Sequence, residues 1–383
     1  MGLLFVGLVL FVMLVIVHEM GHFFAARRGD VEVEEFGLGF PPKLYGRKFK
    51  KHKTEYTINL LPLGGFVRLK GEHDADTSKH SFGAAKLSTK VKILLAGVGM
   101  NLATAWFLFL ILAMIGLPQL PLPNGGQQFR VASDSHLLRS STYISYVEPG
   151  SPAETAKLEP RDKIISIQAD CGPGCDVMTQ EIQTSSDLSE TTHGFAGQPV
   201  VITFERNGQI SDTKAMLRTS EEVESSKDTD NPKGYLGVSP YTFEMRRSTW
   251  SAPVVATGLT IQFTKLTLQG LASALGNLLS GHGQKASESV SGPVGIFFVL
   301  KDGSSLGFQY TLLIIALLSL TLAIMNVLPI PALDGGRLFV MLLFRVLKKP
   351  LLPKTEERIH ATGFVALISL IIVITFVDVG RFF

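Results

Sequence analysis

The sequence is poor in charge and in cysteine. Charged residues make up only 18% of its 383 residues, where soluble domains average about 25%, and this argues against an ordinary soluble enzyme. Two cysteines are too few for a disulfide-rich scaffold. The 36 Lys and Arg residues barely outnumber the 33 Asp and Glu residues, so there is no basic surface that would indicate nucleic acid as a partner.

Hydrophobic residues, at 46% of the chain, are concentrated in long apolar runs. A helix of about 20 apolar residues spans the hydrocarbon core of a bilayer, which is about 30 Å thick. We therefore predict a lipid bilayer as the surroundings and four transmembrane helices, over residues 1–26, 93–117, 308–334 and 360–380. A cleaved signal peptide is the alternative for the first run, but its basic residues, Arg27 and Arg28, follow the run instead of preceding it.

Lys and Arg residues are concentrated in two segments that connect the predicted spans, 27–92 and 337–358. Loops rich in these residues stay in the cytoplasm, so both segments are predicted to be cytoplasmic. Four spans then place both termini and the long region 118–307 outside the cytoplasm.

The connecting segments are predicted to contain β structure. Short β-type runs separated by Gly, Pro and Asn turns indicate a β-rich domain over residues 127–242. Apolar residues at helical spacing over 250–281 predict an amphipathic helical connector, one helix or two, at the membrane surface. In the segment 27–92, alternating runs predict a small β-hairpin sheet. They cover residues 31–40, 54–60 and 65–70.

The first span ends in an HExxH motif, His18-Glu19-Met20-Gly21-His22. On a helix, His18 and His22 lie one turn apart on one face, so both imidazoles can bind one zinc ion. Glu19 is offset by one residue and can act as a base on water at the metal. The alternative is a pair of structural histidines beside an interfacial carboxylate. Because ionisable groups inside a span are costly and usually functional, the motif favours the metal site.

A catalytic zinc ion usually has three protein ligands, so one more is needed. The third span ends in NVLPIPALDGGR, where Pro329 and Pro331 break the helix. Irregular backbone of this kind occurs within a membrane where it lines a cavity. Asp334 then lies at the same depth as the HExxH motif and is predicted to be the third ligand. An ion pair with Arg337 is the alternative.

These two motifs together resemble the site-2 protease family of intramembrane zinc metalloproteases. The bacterial branch, similar to the regulator of sigma-E protease, matches three further segments. They are LPLGGFVRLKGE at 61–72, AGVGMN at 96–101 and SGPVGI at 291–296. The second segment departs from the family pattern, because Val98 stands where the family has proline.

The resemblance implies a polytopic α-helical protease of the bacterial inner membrane with one zinc ion. The implied zinc ligands are His18, His22 and Asp334, and the implied base is Glu19. The implied substrate-binding residues are Asn326, Gly64, Gly65 and Phe66. The substrate would be a pre-trimmed single-span membrane protein, such as an anti-sigma factor in extracytoplasmic stress signalling or a signal-peptide remnant.

Two other classes of function remain open. A metal carrier or sensor would use the same ligands without hydrolysis, but Glu19 is placed as a base and not as a ligand. A non-catalytic membrane scaffold would have no use for a complete HExxH motif together with Asp334.

The outer domain resembles a PDZ domain, through VEPGSPA at 147–153 and DKIISI at 162–167. PDZ domains bind extended peptides by strand addition, and a steric gate over the active site is an equally open role. Cys171 and Cys175 lie in the same region. The compartment outside is oxidising, so a disulfide between them is feasible, with two free thiols as the alternative.

Overall fold

The computed structural model describes residues 2–48, 54–123, 126–170, 179–206, 208–229, 231–281 and 292–382. The chain forms two compact units. The first, here called the membrane unit, comprises Met1–Ile115, Phe129–Val131 and Thr249–Phe383. The second, here called the β unit, comprises Gly116–Gln128 and Ala132–Ser248, and it includes nearly all of the predicted domain 127–242.

Among the described residues of the membrane unit, four helices are long and apolar enough to cross a membrane, the same number as the predicted spans. With numbering along the chain, they are α1 (Gly2–Arg28), α2 (Leu87–Ile115), α8 (Phe308–Val327) and α10 (Pro353–Phe382). The other helices of this unit are α6 (Ala252–Leu279), α7 (Pro293–Ser305) and α9 (Asp334–Val346).

Three helix ends differ from the predicted spans by six residues or more. Helix α2 begins six residues before residue 93, and α10 begins seven residues before residue 360. Both early turns carry charged residues that are buried against partners elsewhere, namely Lys90 and Glu356. Helix α8 ends at Val327 and not at 334, because proline at 329 and 331 removes backbone N–H donors. A separate helix, α9, then begins at Asp334.

In place of the three short predicted strands, the first connecting segment has two long ones, β1 (Val33–Lys48) and β2 (Glu55–Leu69). Both strands bend, so that Gly37 pairs with Phe66 on one side and with Thr57 on the other. The sheet packs on the end of α1 that carries the HExxH motif, where the rings of Phe23 and Phe36 lie 5.6 Å apart.

Small residues allow α1 and α2 to approach closely. A Cβ added at Gly21 would lie 2.5 Å from the carbonyl oxygen of Ala96, so the two backbones meet at this glycine, as is common between membrane helices. Helix α8 lies on another side of α2, where the Ser319 hydroxyl donates to the Asn101 carbonyl at 2.8 Å.

The predicted connector 250–281 is a single helix, α6. Its first half packs against α2, where the rings of Phe263 and Phe109 stack at 5.7 Å. Its second half exposes a row of leucines to the surroundings. They are Leu268, Leu275, Leu278 and Leu279.

A buried carboxylate joins α7 to α10. Asp378 is fully buried, and its Oδ2 accepts hydrogen bonds from the amides of Gly292 at 2.9 Å and Gly295 at 2.8 Å. The first amides of a helix have no acceptor within the helix, so Asp378 caps α7 from a different helix. Ser291, the first residue of the SGPVGI segment, lies outside the described residues.

The β unit is built on one sheet. Its strands are β3 (Leu117–Pro118), β4 (His136–Val147), β5 (Lys163–Ala169), β6 (Thr179–Glu181), β7 (Pro199–Arg206), β8 (Gln209–Met216) and β9 (Val238–Arg247). They pair in the order β3-β9-β4-β5-β7-β8, and β6 also pairs with β5. Its helices are α3 (Pro152–Thr155), α4 (Ser185–Gly194) and α5 (Ser220–Glu224).

Alternating residues create the core of the β unit. Along β7, Val200, Ile202 and Phe204 are buried and their neighbours are not, as expected for a strand with one covered face. They pack with Ile144 and Ile164, which are fully buried in the same cluster. Cys171 and Cys175, the predicted disulfide pair, lie outside the described residues.

Candidate metal centre

The structure brings the three predicted metal ligands together. Asp334 Oδ2 lies 3.1 Å from His18 Nε2 and 3.2 Å from His22 Nε2, and the two imidazole nitrogens are 3.2 Å apart. Zinc ligands about 2.0–2.1 Å from a tetrahedral centre lie about 3.3 Å from one another. The three atoms thus have the spacing of one face of a zinc coordination tetrahedron.

The surroundings of these atoms also fit a cation. Both histidines are 8% exposed, and Asp334 Oδ2 is buried without a hydrogen-bond partner among the described residues. A buried carboxylate oxygen with no donor is costly, and a cation among the three atoms would satisfy it. Two imidazoles and one carboxylate are a typical donor set for catalytic zinc, with a fourth position left for water. The residues therefore fit a zinc ion.

The backbone of α2 fixes the tautomer of His22. Its Nδ1–H donates to the carbonyl oxygen of Ile93 at 2.8 Å. Because Nδ1 carries the proton, Nε2 is left with its lone pair directed toward Asp334. Such a hydrogen bond on the far ring nitrogen is the usual way in which proteins orient a metal-binding histidine.

Asn101 has the equivalent position at His18. Its side-chain nitrogen lies 3.3 Å from His18 Nδ1, and its Oδ1 is buried without a partner among the described residues. Rotating the amide by 180° directs that oxygen at Nδ1. His18 would then donate from Nδ1 to Asn101 and keep Nε2 free. Sequence reasoning noted Asn101 only as part of AGVGMN, without this role.

Gly97 is a site residue that sequence reasoning missed. A Cβ at this position of α2 would overlap Nε2 of His22 and lie 2.6 Å from Cε1 of His18. The two imidazoles therefore occupy the space that any side chain at 97 would need. The available signal was that Gly97 is part of the segment AGVGMN at 96–101, which resembles the family pattern.

Two glycines position Asp334 at the start of α9. A Cβ at Gly335 would overlap the carbonyl oxygen of Val327, and a Cβ at Gly336 would overlap that of Ile330. The first turn of α9 therefore lies directly on the backbone that follows α8. Ala332, two residues before Asp334, has a φ of 86°, which is strained for a residue with a side chain.

Glu19 lies beside the edge of the sheet. The backbone of Val67 lies next to the Glu19 carboxylate. A Cβ at Gly65 would lie 3.2 Å from Glu19 Cγ and 3.1 Å from the Gly37 carbonyl oxygen. Gly64, with a φ of 101°, and Phe66 flank this position. The predicted substrate-binding glycines are thus next to the predicted base.

Asn326 is the penultimate residue of α8 and is half-buried. The next residue, Val327, is the one that Gly335 contacts. Asn326 is therefore at the junction between α8 and the turn that carries Asp334.

Comparison with known proteins gives one consistent family. Residues 6–370 match the model of peptidase family M50. A Clostridium perfringens protein whose name includes the words zinc metalloprotease is 28% identical over 375 residues, which cover 97% of each chain.

Two relatives carry the name zinc metalloprotease RasP. The protein of Shouchella clausii is 26% identical over 465 aligned positions, with all of both chains covered. The protein of Oceanobacillus iheyensis is 27% identical over 458 positions, with 98% of each chain covered. Both alignments are longer than the 383 residues of this chain, so these relatives contain segments that it lacks.

Proposed function

The chain belongs to peptidase family M50 and is a zinc metalloprotease of the membrane, and from this premise we propose that it hydrolyses a peptide bond within the membrane-spanning segment of another protein. The observation that carries the proposal is the convergence of His18, His22 and Asp334 inside a group of apolar helices. A substrate for such a site reaches it through the membrane.

His18, His22 and Asp334 are the residues that would hold the zinc ion. A zinc ion held there supplies a Lewis acid that polarises the carbonyl of the scissile bond and makes water more nucleophilic. Ile93 and Asn101 orient the two imidazoles from the far side of the rings.

Glu19 moves the proton. Its carboxylate takes a proton from the attacking water as the water oxygen bonds to the carbonyl carbon, and it passes that proton to the nitrogen when the carbon–nitrogen bond breaks. One water is consumed, and a carboxylate and an amine are formed. The sheet edge at Gly65, where a Cβ would lie 3.2 Å from Glu19 Cγ, keeps the carboxylate beside the ligands.

The edge of β2 would hold the substrate extended. A transmembrane helix hides its carbonyls in internal hydrogen bonds, so the segment must unwind before it can be cut. Strand addition along an exposed sheet edge provides backbone partners for an unwound segment. Gly64, Gly65 and Phe66 lie where such a strand would pass Glu19, and Asn326 would bind its backbone from the end of α8.

We propose a bacterial inner membrane protein whose β unit and termini lie outside the cytoplasm, because the segments 27–92 and 337–358 carry the Lys and Arg residues. The β unit is proposed to be a PDZ-like domain that binds peptides or limits access to the site. The substrate would be a single-span protein already shortened outside, such as an anti-sigma factor in stress signalling or a signal-peptide remnant.

The chemistry is tested by comparing Glu19→Gln with Asp334→Asn, purified in detergent. Asp334→Asn is expected to lose zinc, because a neutral amide replaces an anionic ligand. Glu19→Gln is expected to keep zinc and lose at least about 10²-fold in the rate of cleavage of a transmembrane peptide. Wild-type zinc affinity in Asp334→Asn would show that the third ligand lies elsewhere. Full cleavage by Glu19→Gln would remove the proposed base.

The orientation is tested by labelling single cysteines in a chain with Cys171 and Cys175 replaced by serine. Ser189 of the β unit and Ser78 of the membrane unit are both exposed. A cysteine at 189 is expected to react with a membrane-impermeant reagent while the cytoplasmic membrane is intact. A cysteine at 78 is expected to react only after that membrane is permeabilised. The reverse pattern would contradict the proposed topology.

A further inference from the structure

We propose that Glu356, in the first turn of α10, is a positioning residue that holds Arg337 away from Asp334 and so leaves Asp334 free to bind zinc. The inference rests on the proposed role of Asp334 as the third ligand. It concerns three residues that belong to two helices and are separated by up to 22 positions in the sequence.

Arg337 is the natural competitor for Asp334. It lies three residues further along α9, and residues at this spacing are neighbours on a helix surface. Both side chains line the same cavity of about 470 Å³, together with Glu356 and His360. An arginine that turned into this cavity could pair with the carboxylate and neutralise the charge that the metal needs.

Other contacts hold Arg337 in a different direction. One of its terminal nitrogens donates to the carbonyl oxygen of Glu72, and its guanidinium lies 4.9 Å from the centre of the Phe82 ring. Its Nε lies 3.9 Å from Glu356 Oε1, and its Nη1 lies 3.8 Å from Glu72 Oε2. The side chain is thus held by two carboxylates, one carbonyl and one aromatic face.

Glu356 is the buried member of this set. It is only 4% exposed, and its second oxygen, Oε2, accepts a hydrogen bond from the Asp74 amide at 3.1 Å. The charge of Glu356 is therefore less screened by water than that of Glu72, whose side chain is 38% exposed. Of the two carboxylates, Glu356 has the stronger electrostatic hold on Arg337.

The segment that supports Glu356 is itself anchored to α2. Asp74 pairs with Lys90, which is 2% exposed and lies 5.6 Å from the centre of the Phe82 ring. Helix α2 also contributes Ile93 and Asn101 to the histidines. The network therefore connects the helix that orients the imidazoles with the helix that carries Asp334.

A second contact keeps α10 in place beside this network. A Cβ at Gly363 would overlap Cβ of Pro331 and lie 2.5 Å from its carbonyl oxygen. Gly363 and Glu356 are two turns apart on one face of α10. The same helix face thus contacts both the turn before Asp334 and the arginine after it.

The inference is tested by zinc affinity, measured by chelator competition on the purified full-length protein. Glu356→Gln keeps an oxygen for the Asp74 amide and removes the charge that holds Arg337. Affinity is expected to fall about 10- to 100-fold, as for other residues that act behind metal ligands. The matched control is Glu357→Gln, since Glu357 is adjacent and its side chain is 64% exposed. Its affinity is expected to stay within about twofold of wild type.

The decisive variant removes the competitor as well. In Glu356→Gln with Arg337→Gln, no guanidinium is left to pair with Asp334, so zinc affinity is expected to recover to that of Arg337→Gln alone. A double variant as weak as Glu356→Gln would overturn the proposal, because the effect would not pass through Arg337. Absorption spectra of the cobalt-substituted proteins give a second readout, in which Glu356→Gln is expected to change the ligand-field bands and the double variant to restore them.

The variant Asp334→Asn tests the role of Asp334 as a zinc ligand separately from the role of Glu356. If Asp334→Asn binds zinc as tightly as the wild type, the proposed ligand set is wrong. If Asp334→Asn loses zinc but Glu356→Gln binds as the wild type does, only the role of Glu356 is wrong.

Discussion

Asp162 of the β unit and Asp334 of the membrane unit serve different purposes. In the β unit, Asp162 is 1% exposed, and Arg206 donates to both of its oxygens at 2.7 Å while the Glu159 amide donates at 2.8 Å. In the membrane unit, Asp334 Oδ2 is buried and has no donor among the described residues. The Asp162 carboxylate, whose two oxygens accept from Arg206, stabilises the fold, whereas Asp334 Oδ2, close to two imidazole nitrogens, is free to bind a metal ion.

Individual glycines of the two units also serve different purposes. Gly208 of the β unit has a φ of 81°, and nothing lies within 4 Å of a Cβ added there, so glycine serves the conformation of the β7–β8 turn. Gly97 and Gly335 of the membrane unit instead leave room for atoms of the site. Gly208 allows a backbone conformation that other residues rarely adopt, whereas Gly97 and Gly335 allow neighbouring atoms to approach the backbone closely.

The largest effect is expected at Gly97. A methyl group there would overlap the imidazoles, so Gly97→Ala is expected to lose most bound zinc, measured as metal per protein after gel filtration. Gly99→Ala is the control, because nothing lies within 4 Å of a Cβ at that position of the same helix. Equal zinc content in both variants would show that the space at Gly97 is not needed by the imidazoles.

The next largest effect is expected in the β unit. Arg206→Met leaves Asp162 buried without its main partner, which is expected to cost about 3 kcal/mol in local unfolding free energy. Hydrogen exchange of β5 and β7 in the full-length protein measures this, and zinc content should not change. Lys214→Met is the control, since its pair with Asp170 is 72% exposed on the lysine side and should contribute below about 1 kcal/mol.

A smaller effect is expected at Asn101. Asn101→Leu removes the acceptor proposed for His18 Nδ1–H while keeping a side chain of similar volume. Zinc affinity is expected to fall about 10- to 100-fold, with the unfolding of the β unit unchanged. If Asn101→Leu binds zinc as the wild type does, then the buried oxygen at Asn101 has no part in orienting the histidine.

The smallest effect is expected at the start of α4. Burial raises the pKa of the Asp187 carboxyl, but the amides of Thr184 and Gln183 and the Thr184 hydroxyl outweigh it and lower that pKa below its usual range. A carboxyl with a lowered pKa in the folded state stabilises it above the ordinary pKa, and this contribution is lost as pH falls through the folded value.

Asp187→Asn is therefore expected to cost about 0.5 kcal/mol at neutral pH and nothing in strong acid, where the wild-type carboxyl is protonated too. Hydrogen exchange of α4 against pH measures the difference. Glu190→Gln, an exposed change in the same helix, should have no such pH dependence. A cost at Asp187 that persists unchanged into strong acid would contradict the capping role.

Local patterns in the sequence predicted the four spans, the alternation along β7 and the one-turn spacing of His18 and His22. Each of these is a regularity within one segment. What could not be predicted depends on partners distant in sequence. The first turn of α2 contains the charged residue Lys90, so a hydropathy pattern leaves this turn out of the span. Lys90 is nevertheless buried within the helix, where it pairs with Asp74, and the sequence alone does not show that pair. The role of Gly97 likewise depends on a helix that lies about 75 residues earlier.

The atoms that surround a glycine determine whether a second mutation can suppress its substitution, and Gly336, which follows Asp334, differs in this respect from Gly303. At Gly303, an added Cβ would overlap only the tip of the Ile314 side chain, so a second mutation that shortens Ile314 should suppress Gly303→Ala. At Gly336 the obstacle is the carbonyl group of Ile330, which every amino acid carries. Substitution of that neighbour cannot remove it, so a search for suppressors of Gly336→Ala should return revertants at codon 336 and no changes at codon 330.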